Sequence, residues 1–121
     1  ENYAQPSAHL KRYTLRIDGF ASLRAGMKGG YAVTKPFIFD GNKLEFNFST
    51  SAAGEIRVEI QDSNGIPIPG FTADDFDLLI GNEIRRVVTW NGSSEVGSLT
   101  GKAIRLKIYL KDADLYSLKF E

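Results

Sequence analysis

The chain has 121 residues, 42% apolar and 25% charged, with acidic and basic side chains equal at 15 each. That length suits one domain around one core, and a net charge of zero excludes the surplus of Lys and Arg that phosphate binding requires. There is no cysteine, which excludes disulfides and thiol chemistry and leaves the compartment open.

The opening stretch has no periodicity. Pro6 and its small neighbours mark residues 1–9 as a linker remnant. A chain that starts on Glu1 with no visible signal peptide reads as a processed or excised piece. No apolar run is long enough to cross a bilayer, so neither nucleic acid nor membrane is an expected partner.

From Leu10 onward a period of two dominates. The alternating apolar sets are Tyr13, Leu15 and Ile17; Leu44, Phe46 and Phe48; Ile56, Val58 and Ile60; Ile104, Leu106, Ile108 and Leu110; and Tyr116, Leu118 and Phe120. Such alternation means strands with one dry and one wet face. "YAVTKPFIF" and "IRRVVTW" are less regular strands, rich in β-branched and aromatic residues. Turn signals fall between them, among them Asp18–Gly19, Gly29–Gly30, Asp40–Gly41–Asn42, Ser63–Asn64–Gly65, Asn91–Gly92 and Thr100–Gly101.

This pattern predicts an all-β fold, a single antiparallel, jelly-roll-like β-sandwich over residues 10–121. A closed barrel shares the pattern and competes with it. "TADDFDLLIG" has a cap at Thr72 but room for only one helical turn. Pro67 and Pro69 lack an amide proton, so "GIPIPGF" belongs on an edge or in a connection.

The residues give little support to catalysis. His9 is the lone histidine and stands near the start, where a solvated linker residue is the plainer reading. Zinc would need mostly carboxylates. Paired carboxylates for glycoside hydrolysis can be sought among Asp74, Asp75, Asp77, Asp112, Asp114, Glu45 and Glu59, yet each has an ordinary turn or surface role. No cofactor is expected. A structural calcium is the one metal that clustered Asp oxygens and loop carbonyls leave open, although no EF-hand spacing is present.

Rings are more informative. Sugars pack their C–H faces on flat rings, while their hydroxyls bond to amides, carboxylates and Arg. Tyr109 falls on the face of Arg105, Lys107 and Lys111, opposite Ile108. Trp90 ends a strand beside Asn91–Gly92, and Tyr31 follows two glycines, so both can form a rim platform. A single Trp in a small domain usually packs, which sets a core role against the rim role of Trp90.

The segments "DGFASL", "TKPFIFDG", "AAGEIRVEI", "DSNGIPIPGF" and "DADLYSLKF" resemble a C-terminal β-sandwich domain of bacterial proteins. In those proteins it follows a five-bladed propeller like that of glycoside hydrolase family 32. The resemblance covers almost everything from Leu10 to Glu121 and transfers no ligand residues. It implies a non-catalytic accessory module of a carbohydrate-active enzyme, exported by a bacterium to the periplasm or the outside. The implied partners are a polysaccharide or oligosaccharide and a catalytic domain in the same native chain.

The candidate ligand residues are therefore Arg57, Glu59, Arg105, Lys107 and Tyr109, with Trp90 and Tyr31 as an alternative rim site. The two sets of charges can cooperate only if their strands share a sheet. Two other readings stand beside this one. In the first, the sandwich buttresses its neighbour and its charges merely pair on the surface. In the second, the chain is an enzyme with two carboxylates converging in a deep pocket.

Overall fold

The computed structural model of the chain describes residues 9–11, 14–16, 23–26 and 28–121. Its strands are β1 (His9–Lys11), β2 (Thr14–Arg16), β3 (Leu23–Ala25), β4 (Gly30–Val33), β5 (Ile38–Asp40), β6 (Leu44–Asp62), β7 (Asn82–Val87) and β8 (Ile104–Phe120). A short 3-10 turn covers Gly97–Leu99. The fold is all-β, as the periodicity predicts.

β6 and β8 are the frame. They pair antiparallel along their length, from Leu44 opposite Phe120 to Asp62 opposite Ile104. β2, β3 and β4 follow one another along the free edge of β8, and β7 pairs with the first half of β6, completing a six-stranded sheet. β1 and β5 form a separate parallel pair. His9, the last residue of the expected lead-in, is the first of β1. Tyr13 and Ile17 lie outside the described residues.

Alternation explains the core. Ile56, Val58 and Ile60 of β6 and Ile104, Leu106, Ile108 and Leu110 of β8 are all buried. Leu44, Phe46, Phe48, Leu118 and Phe120 belong to the same cluster, as do Phe37, Phe39, Phe76, Leu79, Val88, Trp90, Val96 and Leu99. Full burial of each large apolar side chain contributes about 1.5–3 kcal/mol. Phe39 stacks on Phe120 with ring centres 4.2 Å apart. Phe37 and Leu79 reach this core from segments that pair along the edges of β8 and β6.

Two irregularities divide β8. Asp112 takes a positive φ of 45° where the register jumps from Thr50–Ala113 to Glu55–Lys111, so residues 51–54 bulge out of β6. The two alternating sets on either side of Asp112 belong to one strand, β8, and the sets at Leu44–Phe48 and Ile56–Ile60 likewise belong to one strand, β6. Asp112 and Asp114 thus sit within β8 and not in a link.

A second shift, between Asn47–Ser117 and Phe48–Leu115, leaves Tyr116 with no opposite residue. A bulge reverses the side-chain phase. Leu115 is consequently buried, and Tyr116, expected in the core, is 43% exposed.

"GIPIPGF" returns along an edge, as its prolines require. Asp62 Oδ1 accepts the amides of Asn64 and Ile66 at 2.8 and 3.0 Å, forming the turn. Then Ile68 N–H donates to Ile60 O at 3.0 Å, and Ile60 N–H donates to Phe71 O at 2.9 Å. "TADDFDLLIG" forms only a turn, closed by Asp75 N–H donating to Thr72 O at 3.1 Å.

Candidate functional site

Register decides whether the charged residues meet. On the outward face of the sheet, Gln61 lies opposite Arg105, Glu59 opposite Lys107, and Arg57 opposite Tyr109. On the other side of β8, Tyr31 lies opposite Tyr109 and Val33 opposite Lys107. Arg57, Glu59, Arg105, Lys107, Tyr109 and Tyr31 therefore share one face.

Its centre is Lys107. The ammonium lies 4.5 Å from the Tyr31 ring centre and 5.0 Å from that of Tyr109. The two rings are 6.2 Å apart and tilted by 47°. Cation–π attraction holds this trio. A hydrogen bond with Tyr109 raises Lys107 above the usual 10.5; burial opposes it, and the charges of Tyr109, Tyr31 and Glu59 assist. Lys107 is thus a fixed cation at neutral pH. Tyr31 stays 42% exposed. Beside it opens a cavity of about 480 Å³ lined by Lys28, Gly29, Gly30, Tyr31, Glu55, Tyr109, Leu110 and Lys111.

Two candidates fall away as ligand contacts. Glu59 is only 8% exposed. One of its oxygens accepts Gln61 Nε2 at 2.8 Å and the other the Ala73 amide at 3.3 Å. It ties the returning chain to the sheet. Trp90 is 3% exposed, and its Nε1 donates to Val58 O at 3.0 Å. It is core and not a rim platform, so Tyr31 joins the sheet-face group through its pairing with Tyr109.

Lys28 and Glu55 are the site residues that sequence reasoning passed over, and Lys111, placed on the Tyr109 face by its alternation, joins them at the cavity. Glu55 and Lys111 continue the outward alternation beyond Arg57 and Tyr109. Arg57 Nε donates to Glu55 Oε2 at 3.1 Å, and its Nη1 donates to Ala73 O at 3.3 Å. Arg105 Nε donates to Ser63 O at 3.1 Å.

The acidic loop is architectural. Asp75 carboxylate oxygens accept Thr72 Oγ1 at 2.9 Å and Asn91 Nδ2 at 3.1 Å. Asp77 Oδ2 accepts the Thr89 hydroxyl and, at 2.7 Å, the Gly92 amide. These bonds staple residues 72–77 to the turn at Asn91–Gly92. Among the described residues, no group of three or more His, Cys, Asp or Glu could hold a metal ion.

Hydrogen bonds, Thr72 first for Asp75 and Thr89 first for Asp77, hold both carboxyls below the usual 3.8. A lowered native value stabilises the fold above the unfolded value, and that contribution is lost as pH falls through the native value. Asp77→Asn is therefore expected to lower the melting temperature at pH 7 and to flatten its decline between about pH 4 and pH 2. Thermal melts across that range check this, and an unchanged acid limb would contradict the staple.

Glu45, on the other half of β6, is 9% exposed and lies 3.5 Å from Arg85 Nε. A hydrogen bond with Glu121, then burial, raises its carboxyl, while the same bond and that to Lys119 lower Glu121. Glu45 also lines a cavity of about 350 Å³. It lies across the 51–54 bulge from the tyrosines. Compared with family models, curated proteins and solved structures, the chain matches none.

Proposed function

We propose that this domain is a non-catalytic carbohydrate-binding module, and that its ligand lies on the outward sheet face around Tyr31, Lys107 and Tyr109. The carrying observation is a ring 42% exposed beside fixed cations and the Glu55 carboxylate, bordering an open cavity. A sugar presents a C–H face to the Tyr31 ring and hydroxyls to Arg57, Glu55 and Lys107. Shallow sites of this kind bind in the micromolar to millimolar range. On this reading the module is exported by a bacterium and accompanies a catalytic domain in its native chain. It keeps that enzyme close to polysaccharide.

Affinity electrophoresis in gels containing plant and algal polysaccharides tests it. Retardation is expected in at least one gel, weakened roughly tenfold by Tyr31→Ala or Tyr109→Ala, a change of about 1.4 kcal/mol. Circular dichroism checks that the variants remain folded. Free migration in every gel, or retardation indifferent to both substitutions, would remove the proposal.

A buttress remains the second reading because Leu78 and Ile80, flanking buried Leu79, are 40% and 49% exposed. Exposed apolar neighbours suit a protein contact. Leu78→Asp with Ile80→Asp should then loosen the attachment of a neighbouring domain without touching sugar retention.

A further inference from the structure

We infer that the saccharide taken by this face is acidic, bearing uronate carboxylates or sulfate esters, an assignment that rests on the sugar-binding reading above. The chain as a whole is neutral, with 15 residues of each sign. This face is not. Arg57, Arg105, Lys107 and Lys111 occupy its outward positions, and Lys28 joins them at the rim of the cavity. Among the described residues of the face, the opposing carboxylates are Glu55 and Glu59.

Both carboxylates are engaged. Glu55 pairs with Arg57 at 3.1 Å, and Glu59 is buried beneath the returning chain with each oxygen bonded. Glu55 lies opposite Lys111 and Glu59 opposite Lys107, yet these two carboxylates face five cations, and Lys28 and Lys111 are exposed on the cavity rim. From Arg105 to Lys111 the cations extend over roughly 20 Å, at about 3.3 Å per strand residue. A row of positive charge beside an open ring matches a chain that alternates sugar faces with anionic groups. Nucleic acid fits less well. Successive bases stack on several open aromatic faces, whereas here the two tyrosines tilt by 47° and both clasp Lys107.

The test uses the 121-residue chain in affinity gels of four kinds: polygalacturonate, its fully methyl-esterified form, a sulfated galactan and its desulfated form. Each pair keeps the backbone and removes only the charge, and the two charged gels separate uronate from sulfate recognition. Retardation is expected in a charged gel, roughly tenfold weaker in its uncharged counterpart. It should fade as salt rises to about 0.5 M, where screening is nearly complete. The paired substitutions Lys28→Gln and Lys111→Gln, both at exposed positions, should weaken retardation in the charged gel roughly tenfold, or about 1.4 kcal/mol.

Equal retardation in charged and uncharged gels, or retardation in uncharged gels alone, would overturn the acidic assignment and leave sugar binding standing. Free migration in these four gels and in every plant and algal polysaccharide gel of the first test would overturn both. Displacement by oligothymidylate as effective as displacement by oligogalacturonate would reduce the effect to generic attraction of polyanions and overturn the assignment too. Lysine substitutions without effect in the charged gel would do the same.

Discussion

Trp90→Ala is expected to cost about 3–5 kcal/mol of folding stability, the range for emptying a large aromatic site in a core. The indole packs edge-on against Phe71 and Phe76, with ring centres 5.5 and 5.3 Å away. It also acts as a rung of the sheet. Along the edge of β6 facing away from β8, Ile56 pairs with Leu79, and Ile60 pairs with Ile68 and Phe71. Between them the Val58 carbonyl takes its bond from Trp90 Nε1.

Alanine leaves that buried acceptor without this donor as well as opening a cavity, and both effects act in the same direction. Urea unfolding followed by far-ultraviolet circular dichroism should show the midpoint falling by about 2 M, given slopes of about 1–3 kcal/mol per molar. Trp90→Phe retains the ring contacts and should lose only about 1–2 kcal/mol. A midpoint unmoved by Trp90→Ala would mean that the indole holds nothing together. Any sugar binding lost with this variant would report unfolding and not a ligand contact.

Gly54→Ala is expected to be nearly as damaging, by about 3 kcal/mol. A Cβ at Gly54 would stand inside contact distance of the Asp112 carbonyl oxygen and 2.6 Å from that of Lys111. Both obstacles are backbone, at the point where Asp112 already takes a positive φ, so no side chain can swing aside. Relief would have to come from separating β6 and β8 at their shared bulge. Ala52→Gly, two residues away and exposed, serves as the control and should change stability by no more than about 1 kcal/mol. Thermal melts of the two variants should differ widely. Similar melts would show that the close approach at the bulge is dispensable.

Strand identity was legible because one side of each strand had to be greasy. Ile56, Val58, Ile60 and the Ile104–Leu110 set are buried as their alternation requires. Bulges were not legible. Nothing in "KDADLYS" announces that Asp112 and Tyr116 each add a residue, and every added residue inverts the phase of the strand beyond it. Tyr116 faces water, against its apparent alternation, for that reason.

The site was legible in part. Arg57, Lys107 and Tyr109 stand out as polar positions on apolar strands, but only register brings Arg57 opposite Tyr109 and Tyr31 onto the same face. Register is a long-range property, and local pattern does not carry it. Trp90 illustrates the opposite difficulty. Its neighbours Asn91 and Gly92 mark a turn, yet a turn residue can still send a large ring inward, and the Val58 carbonyl 32 positions earlier gives it a reason to go there.

The order of the sheet also has a bearing on biosynthesis. β2, β3, β4 and β6 all lie against β8, which is the last of these strands to leave the ribosome. Until Ile104–Phe120 has emerged, none of the four has the β8 backbone to pair with, so the edges that it covers stay open to other chains until late in synthesis.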